Sequence, residues 1–149
     1  MLKTTLLIAA SACFISACAQ FGPDSPGTAG AAITTRPACP TPAQMEQPEL
    51  VGRWQADMPG QRGPVVLDLK PHPEWDGTVK GFIHRPGFSA VVVGDVHQGR
   101  VTLEESRDGT RVSGNWDGEV VPGSCARQIR GEWTDEADRP FAFTLRKLP

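Results

Sequence analysis

Five stretches of this chain repeat one small pattern: an apolar residue, a glycine two positions on, and an apolar residue two further on. They are Leu50-Gly52-Trp54, Val79-Gly81-Ile83, Val92-Gly94-Val96, Val112-Gly114-Trp116 and Ile129-Gly131-Trp133. Side chains on a β-strand alternate between faces, so a spacing of two puts all three residues of each set on one face. That face is the apolar one. Glycine inside a strand weakens it and packs nothing, so five in phase require a structural reason. Coiling supplies one, because glycine on the concave side lets strands bend far enough to close a small barrel.

The rest of the domain fits strands as well. Val65, Leu67 and Leu69 alternate with Val66, Asp68 and Lys70; Val101 and Leu103 alternate with Thr102 and Glu104; Phe141, Phe143 and Leu145 alternate with Ala142, Thr144 and Arg146. No segment shows the 3.6-residue period of a helix. Seven turn signals punctuate these runs: Pro59-Gly60, Asp76-Gly77, Pro86-Gly87, Gln98-Gly99, Asp108-Gly109, Pro122-Gly123 and Asp138-Arg139-Pro140. Seven breaks make eight runs, the number for a small antiparallel up-and-down barrel or for a β-sandwich. The inward glycines favour the barrel.

The chain has four cysteines: Cys13, Cys18, Cys39 and Cys125. Cys13 belongs to an apolar N-terminal stretch, and Cys18 has a separate role argued below. Cys39 and Cys125 remain, and two cysteines in an oxidising compartment read as a disulfide. A metal pair is the alternative, but no CxxC or neighbouring histidine cluster completes such a site. In an eight-strand meander the loop between the sixth and seventh runs lies at the same end as the start of the first, so the two cysteines can meet. A bridge across so long a loop stabilises by about 4 to 5 kcal/mol in the chain-entropy view. An eight-run meander opening on Gly52-Arg53-Trp54 resembles the calycin group, which includes lipocalins and avidins. The resemblance implies an architecture and carries over no ligand.

The N-terminus describes an address. Lys3 gives a positive start, residues 6–15 an apolar stretch too short to span a bilayer, and Ser16-Ala17 the small residues before a cut. Ile15-Ser16-Ala17-Cys18 resembles the lipobox of bacterial lipoproteins, which implies acylation of Cys18 as the new N-terminus. Ordinary secretion with a free Cys18 is the other reading. Asp after the acylated cysteine favours the inner membrane in Gram-negative lipoproteins; Ala19 here implies the outer membrane, facing the periplasm or the surface. Residues 1–17 are then a signal peptide, 18–47 a lipidated start and a Gly-, Pro-, Ala- and Thr-rich linker, and 48–149 the barrel domain.

Chemistry is harder to find. With 15 Lys and Arg against 17 Asp and Glu, and no basic stripe, nucleic acid is not expected as a partner. His72, His84 and His97 fall in different runs or loops, and His72 with Glu74 is too few ligands for a metal. Glu104 and Glu105 are adjacent and so point to opposite faces of a strand. Trp75-Asp76-Gly77 and Trp116-Asp117-Gly118 read first as Asp-Gly turn signals. No nucleophile elbow or Cys-His pair is present, so neither an enzyme nor a cofactor is expected.

By phase Trp54, Trp116 and Trp133 face inward, as core or as the lining of a ligand pocket in the barrel mouth. Trp75 and Phe88, in loops 71–77 and 86–88, are candidate partner contacts. The expected role is therefore that of a monomeric, membrane-tethered interaction module for an envelope protein, as accessory factor or inhibitor. The alternative is a carrier of a small apolar ligand. Replacing Cys18 with Ser should abolish incorporation of labelled fatty acid and leave the precursor uncut. Normal processing and membrane fractionation of that variant would show the lipobox reading to be wrong.

Overall fold

The computed structural model describes residues 39–149. Cys18, the expected signal peptide over residues 1–17 and most of the expected linker over residues 18–47 lie outside them. A single turn of 3-10 helix, Pro42–Gln44, and a short helix α1, Gln47–Leu50, precede eight strands: β1 Gly52–Asp57, β2 Val65–Pro71, β3 Thr78–Arg85, β4 Phe88–His97, β5 Arg100–Ser106, β6 Gly114–Val120, β7 Gln128–Asp135 and β8 Pro140–Lys147. Every strand pairs antiparallel with the next, and β8 returns to β1, closing the barrel. All seven turn signals fall between strands. Six of them place a glycine at positive φ, and the seventh has Asp138 at φ 55°. The disulfide joins Cys39 to Cys125, with Cα atoms 4.7 Å apart, at the end where β6 meets β7.

Each strand turns a buried stripe inward: Trp54 from β1, Leu67 from β2, Ile83 from β3, Val92 from β4, Leu103 from β5, Trp116 from β6, Ile129 from β7 and Leu145 from β8. The ring of Trp116 meets Phe143 edge-on at 4.9 Å and lies 6.2 Å from Trp133. Such aromatic pairs add about 0.5 to 1.5 kcal/mol each beyond the area they bury.

The inward glycines sit where neighbouring backbones come closest. A Cβ on Gly81 would overlap the Asp68 carbonyl of β2, and one on Gly131 would overlap the Asp117 carbonyl and the Gly118 Cα of β6. Gly118 stands opposite Gly131 in the ladder. Asp117-Gly118 is thus the middle of β6 and not a turn, with Ile129 and Phe143 occupying the space that a Gly118 side chain would need.

Two members of the repeated pattern depart from expectation. Leu50 is buried, but it ends α1 and is not a strand residue; its carbonyl accepts the Trp54 Nε1–H at 2.8 Å. Val112 is 48% exposed, because it lies in the loop before β6 with no ladder partner to hold its phase. Ser113, which the alternation places outward, is buried instead, and both its N–H and its hydroxyl donate to the Glu105 carbonyl at 2.7 and 3.2 Å.

The segment just before β1 is also more than a linker. Met45 and Leu50 are buried in the core, and Gln47 donates its side-chain amide to the Thr78 carbonyl. The Lys147 ammonium donates to the Glu49 carbonyl and lies 5.5 Å from the Trp54 ring centre. Burial, with the nearby Arg127 charge, holds its pKa below the usual lysine value. The arm therefore closes this end of the barrel.

Gly131→Val should destabilise by about 3 kcal/mol or more, since the added methyls have only backbone to meet. Glu132→Val, on the exposed face one residue on, should stay within about 0.5 kcal/mol of wild type. Chemical denaturation of the two decides; equal stabilities would mean that the concave wall is not tight.

Candidate functional site

The end opposite the disulfide is built differently. It is formed by the loops between β1 and β2, β3 and β4, β5 and β6, and β7 and β8, and it carries a buried pair of charges. Arg85 is the last residue of β3 and follows Val79, Gly81 and Ile83 on the inward face. Glu105 follows Val101 and Leu103 on the inward face of β5. The Arg85 side chain is 4% exposed and that of Glu105 0%, and Nη1 of Arg85 donates to Oε1 of Glu105 across the width of β4. The other carboxylate oxygen accepts the Trp116 Nε1–H at 3.2 Å.

Aromatic rings surround this guanidinium. Its central carbon lies 5.1 Å from the Trp133 ring centre and 5.6 Å from those of Trp116 and Phe88. Ring faces attract a cation, and the attraction grows when water is excluded. Isolated buried charges are strongly unfavourable, so the carboxylate and the three rings together are what allow Arg85 to sit here. Two donors are left over: Nη2 of Arg85 and Nε1 of Trp133 have no hydrogen-bond partner among the described residues. The indole nitrogen lies against Gly114, where any side chain would displace it.

Above the pair lies an open depression of about 420 Å³, whose lining includes Arg62, Arg85, Phe88, Arg107 and Trp133. No Asp or Glu lines it. Arg107 places its guanidinium 4.9 Å from the centre of the Phe88 ring. The loops around it are fixed by their own carboxylates. Asp108 accepts the Arg111 and Thr110 N–H groups at 2.8 Å each, and these bonds hold its carboxyl below the usual range. Asp135 is pulled down to about 2, first by the Arg139 guanidinium and then by the backbone N–H groups of Arg139 and Ala137.

The expected site residues are dispersed. Trp54 lies under the N-terminal arm at the closed end, Trp116 in the packed centre, and Trp133 beneath the depression. All three are buried. Phe88, 39% exposed, stands at the open end, whereas Trp75, 57% exposed, lies in the loop at the disulfide end, stacked on His72 with ring centres 4.3 Å apart. The two candidate contacts therefore do not share a surface. His84 hydrogen-bonds Ser89 and stacks on Phe82, and no group of three or more His, Cys, Asp or Glu suited to a metal occurs among the described residues.

Arg62, Arg85 and Arg107 went unremarked in the sequence, and Glu105 figured there only as half of an unworkable carboxylate pair with Glu104. For Arg85 and Glu105 the signal was present: both occupy the next inward position of a strand, where a charge is rare unless paired. A scan against protein-family models and a search of curated proteins found no match to this chain.

Arg85→Met should cost about 3 to 5 kcal/mol by leaving Glu105 buried and unpaired. Arg85→Met combined with Glu105→Gln, which keeps an acceptor for Trp116, should recover most of that loss. If urea denaturation shows the two changes simply adding, the charges are not coupled.

Proposed function

We propose that this chain is an outer-membrane lipoprotein, acylated on Cys18, that acts as a non-enzymatic interaction module and binds a protein partner through the open end of its barrel. One observation carries the reading. Of the five large apolar side chains that are exposed among the described residues, three (Phe88, Val112 and Phe141) gather at the open end. Arginines accompany them: Arg107 over Phe88 and Arg139 over Phe141. Aromatic residues and arginine in one rigid patch are the composition of protein interfaces. The opposite end is occupied by the arm that the disulfide pins through Cys39.

The filled interior supports this reading over a carrier of an apolar ligand. Eight strands enclose space that side chains can occupy completely, and here Trp54, Trp116 and an aliphatic side chain from each of the other six strands do so at near-zero exposure. A photoreactive residue at position 112 of the full chain, activated in cells, should give a discrete protein adduct that disappears in Phe88→Glu. The same residue at position 132, on the barrel wall, should give none. Adducts independent of position, or an apolar small molecule retained by the natively purified chain, would refute the module reading.

A further inference from the structure

We propose that the depression at the open end is a binding site for a carboxylate carried on an apolar body. The site is defined by its own geometry and does not depend on the identity of any protein partner.

The lining is chemically lopsided. Three arginines from three separate segments converge on it, Arg62 before β2, Arg85 at the end of β3 and Arg107 after β5, with no acidic residue among the lining residues. Glu105 neutralises Arg85 from beneath, whereas Arg62 and Arg107 are exposed residues of the same lining. Nη2 of Arg85 still has a donor to give and no acceptor among the described residues. A buried donor without a partner is uncommon and unfavourable, and an incoming acceptor would relieve it. The other walls are the rings of Phe88 and Trp133 and the ring of Pro86. A ligand that fits must therefore offer an anionic acceptor on one side and an apolar surface on the other.

The anion is identified by the walls beside it. Guanidinium groups bind both carboxylate and phosphate. Inorganic phosphate would bring no apolar surface for Phe88 and Trp133 and would leave that half of the lining unfilled. A planar, singly charged carboxylate on an aromatic or alkyl body satisfies both halves of the site. A small organic acid supplies that chemistry, and so does the C-terminal residue of a polypeptide.

The test uses the full chain purified in non-ionic detergent, read by calorimetry and by the Trp133 indole N–H resonance. The probes are phenylacetate, its neutral analogue phenylacetamide, inorganic phosphate, and a short peptide ending in Phe with either a free or an amidated C-terminus. A carboxylate probe should bind saturably, shift the Trp133 resonance and weaken as salt is added. The Arg62→Gln/Arg107→Gln variant alters only exposed side chains and should bind at least about tenfold more weakly, the loss of one charge-assisted hydrogen bond. Lys80→Gln, on the outer wall, should leave binding unchanged. Binding of phenylacetate points to a small acid, and binding of the free-ended peptide alone points to a chain terminus; either upholds the site. Equal binding of the neutral analogues, phosphate competing as well as the carboxylates, wild-type affinity in the double variant, or no binding by either carboxylate would each overturn it.

Discussion

The barrel depends on how closely its strands approach one another along the concave face. At Gly81, Gly94 and Gly131 the backbone of a neighbouring strand occupies the position where a Cβ would stand. This is the source of the strong coiling, and the coiling is what lets strands of six to ten residues close a ring of eight. Once closed, the ring has no free edge to pair with another chain. Its interior is narrow enough that two tryptophans and a set of aliphatic side chains fill it. The same glycines that cost strand order thus set the diameter, and the diameter decides that the interior is a core.

A filled tube leaves two ends to be finished, and the chain finishes them by different physics. At one end the solution is apolar and covalent. Met45 and Leu50 cover the core, the Trp54 indole is satisfied by the Leu50 carbonyl, and Cys39–Cys125 holds the arm in place. At the other end no segment among the described residues covers the core, and the last inward positions of β3 and β5 carry a charge pair. Hydrophobic residues there would leave an apolar mouth exposed to water. Arg85, sandwiched among rings and joined to Glu105, closes the core with a side chain that is apolar along its stem and polar at its tip.

Much of this was legible in the sequence because it rests on period and punctuation. The eight runs, the seven turns, the meander and the cysteine pairing all follow from alternation and from the chemistry of Gly and Pro. The misreadings occur where alternation stops. Val112 is in phase with Gly114 by counting, but a loop residue has no ladder to fix its direction, and the chain enters β6 with both Ser113 and Gly114 buried. Asp117-Gly118 looks like a turn because Gly usually marks one; only the opposing Gly131 shows it to be a second close approach. The candidate site was hidden for another reason. Arg85 and Glu105 are twenty residues apart, and nothing local says that the inward ends of β3 and β5 meet over β4. Arg62 and Arg107 lie in loops, where sequence period carries no directional information.

The two ends also differ in how readily they could change. The closed end combines a covalent bridge with packed apolar contacts, so its opening requires reduction or unfolding. The open end is held by electrostatics among four strands, β3, β5, β6 and β7, which share one carboxylate, one guanidinium and two indoles. A change in charge just above that cluster acts on all four strands at once, because Arg85 both lines the depression and anchors the pair beneath it. An anion arriving there would compete with Glu105 for the same guanidinium while supplying the acceptor that Nη2 lacks. Binding at this mouth is therefore coupled to the packing of Trp116 and Trp133 directly below, and the rigid Asp108 and Asp135 turns at the rim confine the response to the guanidinium and its rings.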